Sequence, residues 1–379
     1  MSATREVISS GNDLAAIAAV DAGCMFFGGY PITPSSEVMH TISDSLPKVG
    51  GAAIQMEDEI AGVAAAIGAG MSGVRTLTAT SGPGISLKAE NLGLAQMCEV
   101  PLVVVNVMRG GPSTGLPTRV SQGDVSQAKN PSHGDYKSIT LCAGNLAECY
   151  TETVRAFNLA DRFMQPVFVL LDETIGHMHA KAEIPTVEAV KAGIVPRKTF
   201  AGPAQEYKPY GVGDDEPAVL NPMFNGYRYH YTGLHHDADG FPTEEIETCR
   251  KLIDRLFAKV DNYRDEIELN EEYMVDDADI LLVGYGSASL AIKEAVNSLR
   301  AEGIKVGMFR PITLWPSPEA RLHELGQKFD KVLSVELNQG QYLEEVQRSM
   351  GRLDIQKLTK TNGRPFSPAD IIEKVKEVF

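Results

Sequence analysis

Two short runs decide how this chain is read: GGYPITPSSE, residues 28–37, and QMEDE, residues 55–59. The first is a Gly-Pro turn that follows the short apolar run CMFF at 24–27. Pro31 and Pro34 hold the backbone extended or turned, and Thr33 stands directly before Pro34. A threonine cap with proline at the first helical position predicts a helix running to about Ser45. The second run closes a strand expected over AAIQM, 52–56, with the acids Glu57, Asp58 and Glu59. Beyond it Ile60, Val63, Ala64, Ile67 and Met71 recur at helical spacing, with glycine and alanine filling most positions between. Each glycine costs a helix about 1 kcal/mol. A helix so built suits a place where a ligand or another chain approaches its backbone.

Outward from this core the pattern repeats. Residues 12–22 read as a helix with Asn12 as its N-cap. RTLTAT (75–80) is a strand followed by SGPGIS (81–86) and a helix to about Glu99. PLVVVNVM (101–108) is an unbroken apolar run, as in a strand buried on both faces, and it ends at the loop RGGPSTGLPTR, 109–119. SITLC, a helix from about Asn145 to Met164, and PVFVLLD complete the unit. Such alternation implies a mostly parallel sheet with helices on both faces, and ligands bind such sheets at the carboxyl ends of their strands. GGYPITP, EDE, SGPGIS and RGGPSTG are therefore expected on one rim. From about Lys191 to Pro242 the chain turns irregular but aromatic, which suits an arm ordered on a partner surface. Residues 243–273 read as a charged helix, and ADILLVGYGS (278–287) opens a second α/β unit. The expected fold class is α/β: two doubly wound, mostly parallel domains, 1–190 and 275–379, joined by an irregular linker and helix at 191–274.

With 379 residues, two domains are the natural reading. A net charge of −15 argues against nucleic acid as the main partner. No apolar run is long enough for a membrane span, and MSATREVISS has no secretory pattern, so a cytoplasmic protein is expected. The five cysteines form no CxxC pair, which suits reduced thiols and excludes a self-contained zinc or iron–sulfur site of the usual spacing. His177 and His179 in HMH are read as loop histidines rather than metal ligands.

For chemistry, the residues alone offer a short list. SGPGIS is either a phosphate cradle at a helix N-terminus or simply a turn, since it has no P-loop lysine or spacing. GYGS at 284–287 is open to the same two readings. Three acids before a small-sided helix suggest that one carboxylate points into a cleft. Arg109, at the end of a buried strand, is either an anion clamp or a loop-fixing ion pair.

YPITPSSE (30–37), SGPGISL (81–87) and RGGPSTGLPT (109–118) closely resemble the alpha subunit of 2-oxoacid:ferredoxin oxidoreductases. The resemblance continues through PMFNGYRYHYTGLHHDADGFPT (222–243) and FRPITLWPSP (309–318), and TGLHHD is most similar to the 2-oxoglutarate enzymes. The 2-oxoisovalerate enzymes share much of the pattern and remain an alternative. A rival of another class is a non-catalytic nucleotide-binding module using SGPGIS.

The resemblance implies a transketolase-like pyrimidine-binding domain followed by a transketolase C-terminal-like domain. It also implies thiamine diphosphate shared with a beta subunit in an alpha2beta2 assembly. That subunit would bring the GDG motif with Mg2+ and the iron–sulfur cluster. Gly-Asp occurs here at 123–124, 134–135 and 213–214, never as GDG. By the same resemblance Glu59, or Glu57 in another register, hydrogen-bonds the aminopyrimidine ring and helps deprotonate the thiazolium carbon. Tyr30, Pro31 and Ile32 would line the cofactor. Thr33 would contact the substrate, and Arg109 would bind its carboxylate, with Arg119 an alternative or a partner for a second carboxylate. The implied activity is oxidative decarboxylation of 2-oxoglutarate, with coenzyme A taking the acyl group and ferredoxin the electrons.

Overall fold

In the computed structural model, which describes residues 3–379, the chain begins with β1 (Thr4–Ser10), α1 (Gly11–Asp21), β2 (Cys24–Gly29) and α2 (Ser36–Ser45). It continues through β3 (Ala52–Gln55), α3 (Glu59–Met71), β4 (Arg75–Thr80), α4 (Pro83–Met97) and β5 (Leu102–Gly110). Next come β6 (Leu116–Val120), α5 (Val125–Lys129), β7 (Ile139–Cys142), α6 (Leu146–Phe163), β8 (Pro166–Asp172), α7 (Glu173–His177), β9 (His179–Pro185) and α8 (Val187–Ala192). After an irregular stretch follow α9 (Ile246–Asp261), α10 (Arg264–Ile267), β10 (Asn270–Tyr273), β11 (Ile280–Gly284), α11 (Ala288–Ala301), β12 (Val306–Pro311) and β13 (Thr313–Trp315). The chain ends with α12 (Glu319–Lys328), β14 (Lys331–Glu336), α13 (Leu343–Met350), β15 (Gln356–Thr359) and α14 (Pro368–Val378).

The large sheet has the order β13-β7-β8-β5-β4-β2-β3, with β6 paired to β5, and a second sheet runs β10-β12-β11-β14-β15. All neighbours are parallel except β13 on β7, β10 on β12 and β6 on β5. Strand β5 shows why helices cover both faces. Val103, Val105 and Val107 enter the core with α1 and α6, while Leu102 and Val104 enter the one with Val63 of α3 and Leu92 of α4. Period-two alternation of an all-apolar strand thus feeds two cores. Strand β11 does the same, with Leu281 and Val283 on one side and Ile280 and Leu282 on the other. The mostly parallel, doubly wound reading holds.

Several local expectations are corrected. Ser10, not Asn12, caps α1, its hydroxyl accepting from the Asp13 N–H at 3.1 Å. Asn12 instead lies buried in the first turn and donates to the Pro34 carbonyl at 2.7 Å. Helix α2 starts at Ser36 rather than Pro34, because Ser35 turns back to bond the Ile32 carbonyl with both its N–H and its hydroxyl. The charged stretch 243–273 is not one helix but α9, α10 and the strand β10. The antiparallel pair β1–β9 and the strand β13, which adds a residue run from beyond the arm to the first sheet, have no counterpart in the sequence reading.

The arm is ordered by contacts with its own chain. The Tyr210 hydroxyl donates to the Cys98 carbonyl at 3.2 Å, and Arg197 pairs with Asp161 at 2.9 Å. Tyr207 stacks edge-on with Tyr227 and Tyr229, so the aromatics satisfy one another. Helix α9 is tied down by a buried triad in which Arg255 and Lys259 both pair with Glu99. The small residues of α3 likewise have an internal use. A Cβ on Gly62 would lie 3.0 Å from the Gly29 Cα, and one on Gly28 would lie 3.3 Å from the Ala66 amide, so the helix rests directly on β2.

Candidate active site

Strand order puts a ligand crevice where the winding reverses. From β2 the chain moves outward to β3, whereas from β4 it moves the other way to β5. The switch point therefore lies between the carboxyl ends of β2 and β4, where GGYPITP and SGPGIS begin. RGGPSTG lies beside them at the end of β5, and Glu59 opens α3. The four loops share one rim.

Of the three acids, Glu57 and Asp58 are exposed, and Asp58 is the N-cap of α3, its carboxylate accepting from the Ala61 N–H at 2.8 Å. Glu59 is only 4% exposed. No donor among the described residues hydrogen-bonds its carboxylate. A Cβ on Gly84, in the first turn of α4, would lie 2.7 Å from Glu59 Oε1 and collide with Thr80 Oγ1. Glycine at 84 is thus what leaves room for the carboxylate and the hydroxyl. Around them Thr80 Oγ1, Ser81 Oγ and Arg109 Nε are all buried without a hydrogen-bond partner. Buried polar atoms are nearly always paired, so this group of orphans marks a place where a ligand or water is to be held.

Beneath Glu59 lies a residue that sequence reasoning missed. Lys88 of α4 is fully buried; its Nζ donates to Thr78 Oγ1 at 3.0 Å and to the Glu59 carbonyl at 3.3 Å. Burial pulls its ammonium down to about 8, against the opposing pull of Glu59 and Asp58. Thr78 in turn donates to the Gly28 carbonyl at 2.7 Å. The signal was present in the alternation of RTLTAT, whose Leu77 and Ala79 enter the core with α1 while Thr78 reaches Lys88 and Thr80 reaches Gly84. Only the fold shows what the threonines meet.

Arg109 is 5% exposed and donates through Nη1 to the Thr33 carbonyl. Among the described residues no carboxylate pairs with it directly, which argues against the loop-fixing ion pair. Burial lowers its guanidinium, with Asp124 and Glu59 pulling the other way. It lines a cleft of about 220 Å3 with Gly82, Ser86, Ser113, Asp124 and Gln127. Asp124 is another residue the sequence did not single out. Burial raises its carboxyl, while the Asn106 amide at 3.0 Å and the Gly82 N–H lower it. Thr33, Glu59 and Arg109 are thus brought together. Tyr30 is 38% exposed beside them, with Pro31 and Ile32 half-buried. Arg119 is not brought in: it is exposed on β6, and a Cβ on Gly363 of the second unit would touch its stem at 2.8 Å.

Both glycine-rich helix starts are already answered by carboxylates. Asp124 lines the same cleft as Gly82 before α4, and the Ser287 N–H before α11 bonds Asp172 at 2.7 Å. In GYGS, Tyr285 is fully buried and bonds Glu336 at 2.8 Å, while Gln122 of the first unit fills the space beside Gly286. A phosphate at either place would meet an acid, which disfavours the nucleotide-module reading. His177 contacts Glu173 and Glu37, and no cluster of three metal-ligating side chains exists among the described residues. None of the described helices is long and apolar enough to cross a membrane.

Comparison with known proteins agrees with this geometry. A "2-oxoglutarate synthase subunit KorA" from Methanothermobacter marburgensis is 44% identical over 98% of this chain and 99% of its own length. One of the same name from Methanocaldococcus jannaschii is 46% identical over 89% and 90%. A "ketoisovalerate oxidoreductase subunit VorB" from Methanothermobacter thermautotrophicus is 36% identical over 97% and 96%. Among solved structures, the 2-oxoglutarate:ferredoxin oxidoreductase from Magnetococcus marinus, with 2-oxoglutarate, coenzyme A and succinyl-CoA bound, matches at TM-score 0.90 and 36% identity. The match covers 98% of this chain and 65% of that one. A split-gene transketolase, 11% identical with TM-score 0.55, shares the fold alone. Residues 278–371 match core domain II of pyruvate:ferredoxin oxidoreductases. Residues 17–255 match the thiamine diphosphate-binding region of the pyruvate flavodoxin/ferredoxin oxidoreductases, and the chain belongs to that family.

Proposed function

We propose that this chain is the alpha subunit of a 2-oxoglutarate:ferredoxin oxidoreductase (2-oxoglutarate synthase). In that reading it takes part in the coenzyme A-dependent decarboxylation of 2-oxoglutarate to succinyl-CoA and carbon dioxide, with electrons passing to ferredoxin. The proposed division is a pyrimidine-binding domain at 1–190, a connecting region at 191–274 and a C-terminal domain at 275–379. The observation that carries the reading is the buried Glu59 carboxylate, left without a protein donor among orphaned polar atoms at the sheet's switch point.

The residues present fit thiamine diphosphate. Glu59 would accept from the aminopyrimidine ring, and Tyr30, Pro31 and Ile32 would flank it. When bound, the cofactor supplies the carbon nucleophile that attacks the 2-oxo carbon. Arg109, held by the Thr33 carbonyl, orients the substrate carboxylate and confines it to the cleft beside Gly82. With the ring seated against the buried Glu59 carboxylate, little water would be left there, which would strengthen the hydrogen bond between them. The diphosphate, Mg2+ and iron–sulfur cluster are assigned to a beta subunit, in an alpha2beta2 assembly that docks ferredoxin. The lower identity to ketoisovalerate relatives, 36% against 44% and 46%, favours 2-oxoglutarate. Co-expression with the beta subunit tests this. The complex is expected to reduce ferredoxin with 2-oxoglutarate and coenzyme A at least tenfold faster than with 2-oxoisovalerate. The reverse preference would overturn the substrate assignment.

A further inference from the structure

The strongest unassigned group in the molecule is the buried lysine behind the rim. Lys88 has no acid within ion-pair distance among the described residues, yet its Nζ lies in the fully buried layer between α3 and α4. A methionine would fill such a place without the penalty of desolvating an ammonium. Packing alone therefore does not account for it. Its two hydrogen bonds run to the carbonyl of Glu59 itself and to Thr78, which holds the Gly28 carbonyl at the end of β2. One side chain thus joins the α3 start, β4 and the turn that leads into YPITP.

We infer that Lys88 is the positioning residue of Glu59, locking the first turn of α3 and supplying the buried countercharge to its carboxylate. The inference rests on the assignment of Glu59 to the cofactor ring. The charged groups facing this pair are few. Asp58 contributes from the exposed start of α3, and Arg109 faces Glu59 from β5. From β4 only the neutral Thr78 meets the lysine. A neutral amine would still donate two hydrogen bonds, so the charge is what alkaline pH removes. With the ammonium brought down to about 8 by burial, that loss falls within an accessible range.

The test is calorimetric titration of thiamine diphosphate into the complex with the beta subunit from pH 6.5 to 9.5. Wild type is expected to lose at least threefold in affinity across the interval centred near pH 8. Lys88→Arg keeps a charge at every pH. It should bind within threefold of wild type at pH 7 and show no alkaline loss. Lys88→Met should bind at least tenfold more weakly at pH 7, again without the limb. Affinity within twofold of wild type in Lys88→Met, or an alkaline limb that persists in Lys88→Arg, would overturn the inference. If Lys88→Met fails to fold, the arginine profile decides. Glu59→Gln is titrated and assayed alongside. Wild-type binding and turnover in that variant would sink the site assignment, whereas a defective Glu59→Gln with an indifferent Lys88→Met would sink only the role of Lys88.

Discussion

Replacing Gly84 by alanine separates stability from function at this site. The added Cβ would stand 2.7 Å from Glu59 Oε1 and 3.1 Å from its Cγ, with Thr80 Oγ1 closer still. Ordinary contact begins near 3.4 Å, so the carboxylate must retreat by about 0.7 Å and the Thr80 hydroxyl by about 1.4 Å, or α4 must shift to clear both. Overpacking of this kind costs about 1–3 kcal/mol. Against it stands a helix-propensity gain of about 1 kcal/mol for Gly→Ala. The net loss, about 0–2 kcal/mol, is small beside the roughly 5–15 kcal/mol of a typical domain. Function should respond far more, since a misplacement near 1 Å in a reacting constellation costs about 100-fold. The account therefore expects a Gly84→Ala complex that unfolds in urea at close to the wild-type midpoint but turns over 2-oxoglutarate about 100-fold more slowly. Wild-type turnover would refute the geometry. So would a slow enzyme whose loss matches the fraction unfolded.

Three further outcomes follow from the same contacts. Arg109→Met should raise the KM for 2-oxoglutarate at least tenfold in steady-state assays, while Arg119→Ala, exposed and outside the cleft, should change it less than twofold. Glu99→Gln should lower the urea unfolding free energy by about 3–5 kcal/mol, because it leaves Arg255 and Lys259 as uncompensated buried cations. Burial alone would raise the Glu99 carboxyl, but Arg255 and Lys259 outweigh it and hold it at about 2. Its native value is thus below its unfolded one, so its contribution to stability is complete above about pH 4.5 and lost as pH falls towards 2. Acid titration of wild type followed by circular dichroism should show a loss of stability across that window that Glu99→Gln lacks.

How much of this was legible in the sequence varies with the distance over which a residue acts. The apolar runs at 101–108 and 166–172 announced buried parallel strands, because burial on both faces is written in consecutive residues. The rim followed from them by sheet logic, and it brought Thr33, Glu59 and Arg109 together. Thr80, Lys88 and Asp124 were not legible. Thr80 is an ordinary strand residue, Lys88 an ordinary helix residue and Asp124 a turn residue before α5, and what each meets lies on another element, as Thr78 of β4 does for Lys88 of α4. Asn12 looked like a cap by residue type, but the Pro34 carbonyl claims its amide and Ser10 takes its place. The arm was read as ordered because it holds more aromatics than disorder favours, but which of them meet was not legible: Tyr207, Tyr227 and Tyr229 pack edge-on against each other. Strand β13 is three residues long and pairs with β7, some 170 residues earlier, a pairing no local pattern encodes.

The claim on which the rest depends is that Glu59, and not its exposed neighbour Glu57, is the carboxylate that serves the cofactor ring. Its most direct test is 2-oxoglutarate-dependent ferredoxin reduction by complexes carrying Glu59→Gln or Glu57→Gln, at saturating thiamine diphosphate and coenzyme A. The account predicts that Glu59→Gln loses about 100-fold to 10,000-fold, the range of a proton-transfer group in the transition state. Glu57→Gln should stay within twofold of wild type. Undiminished turnover in Glu59→Gln, or a severe loss confined to Glu57→Gln, would contradict it.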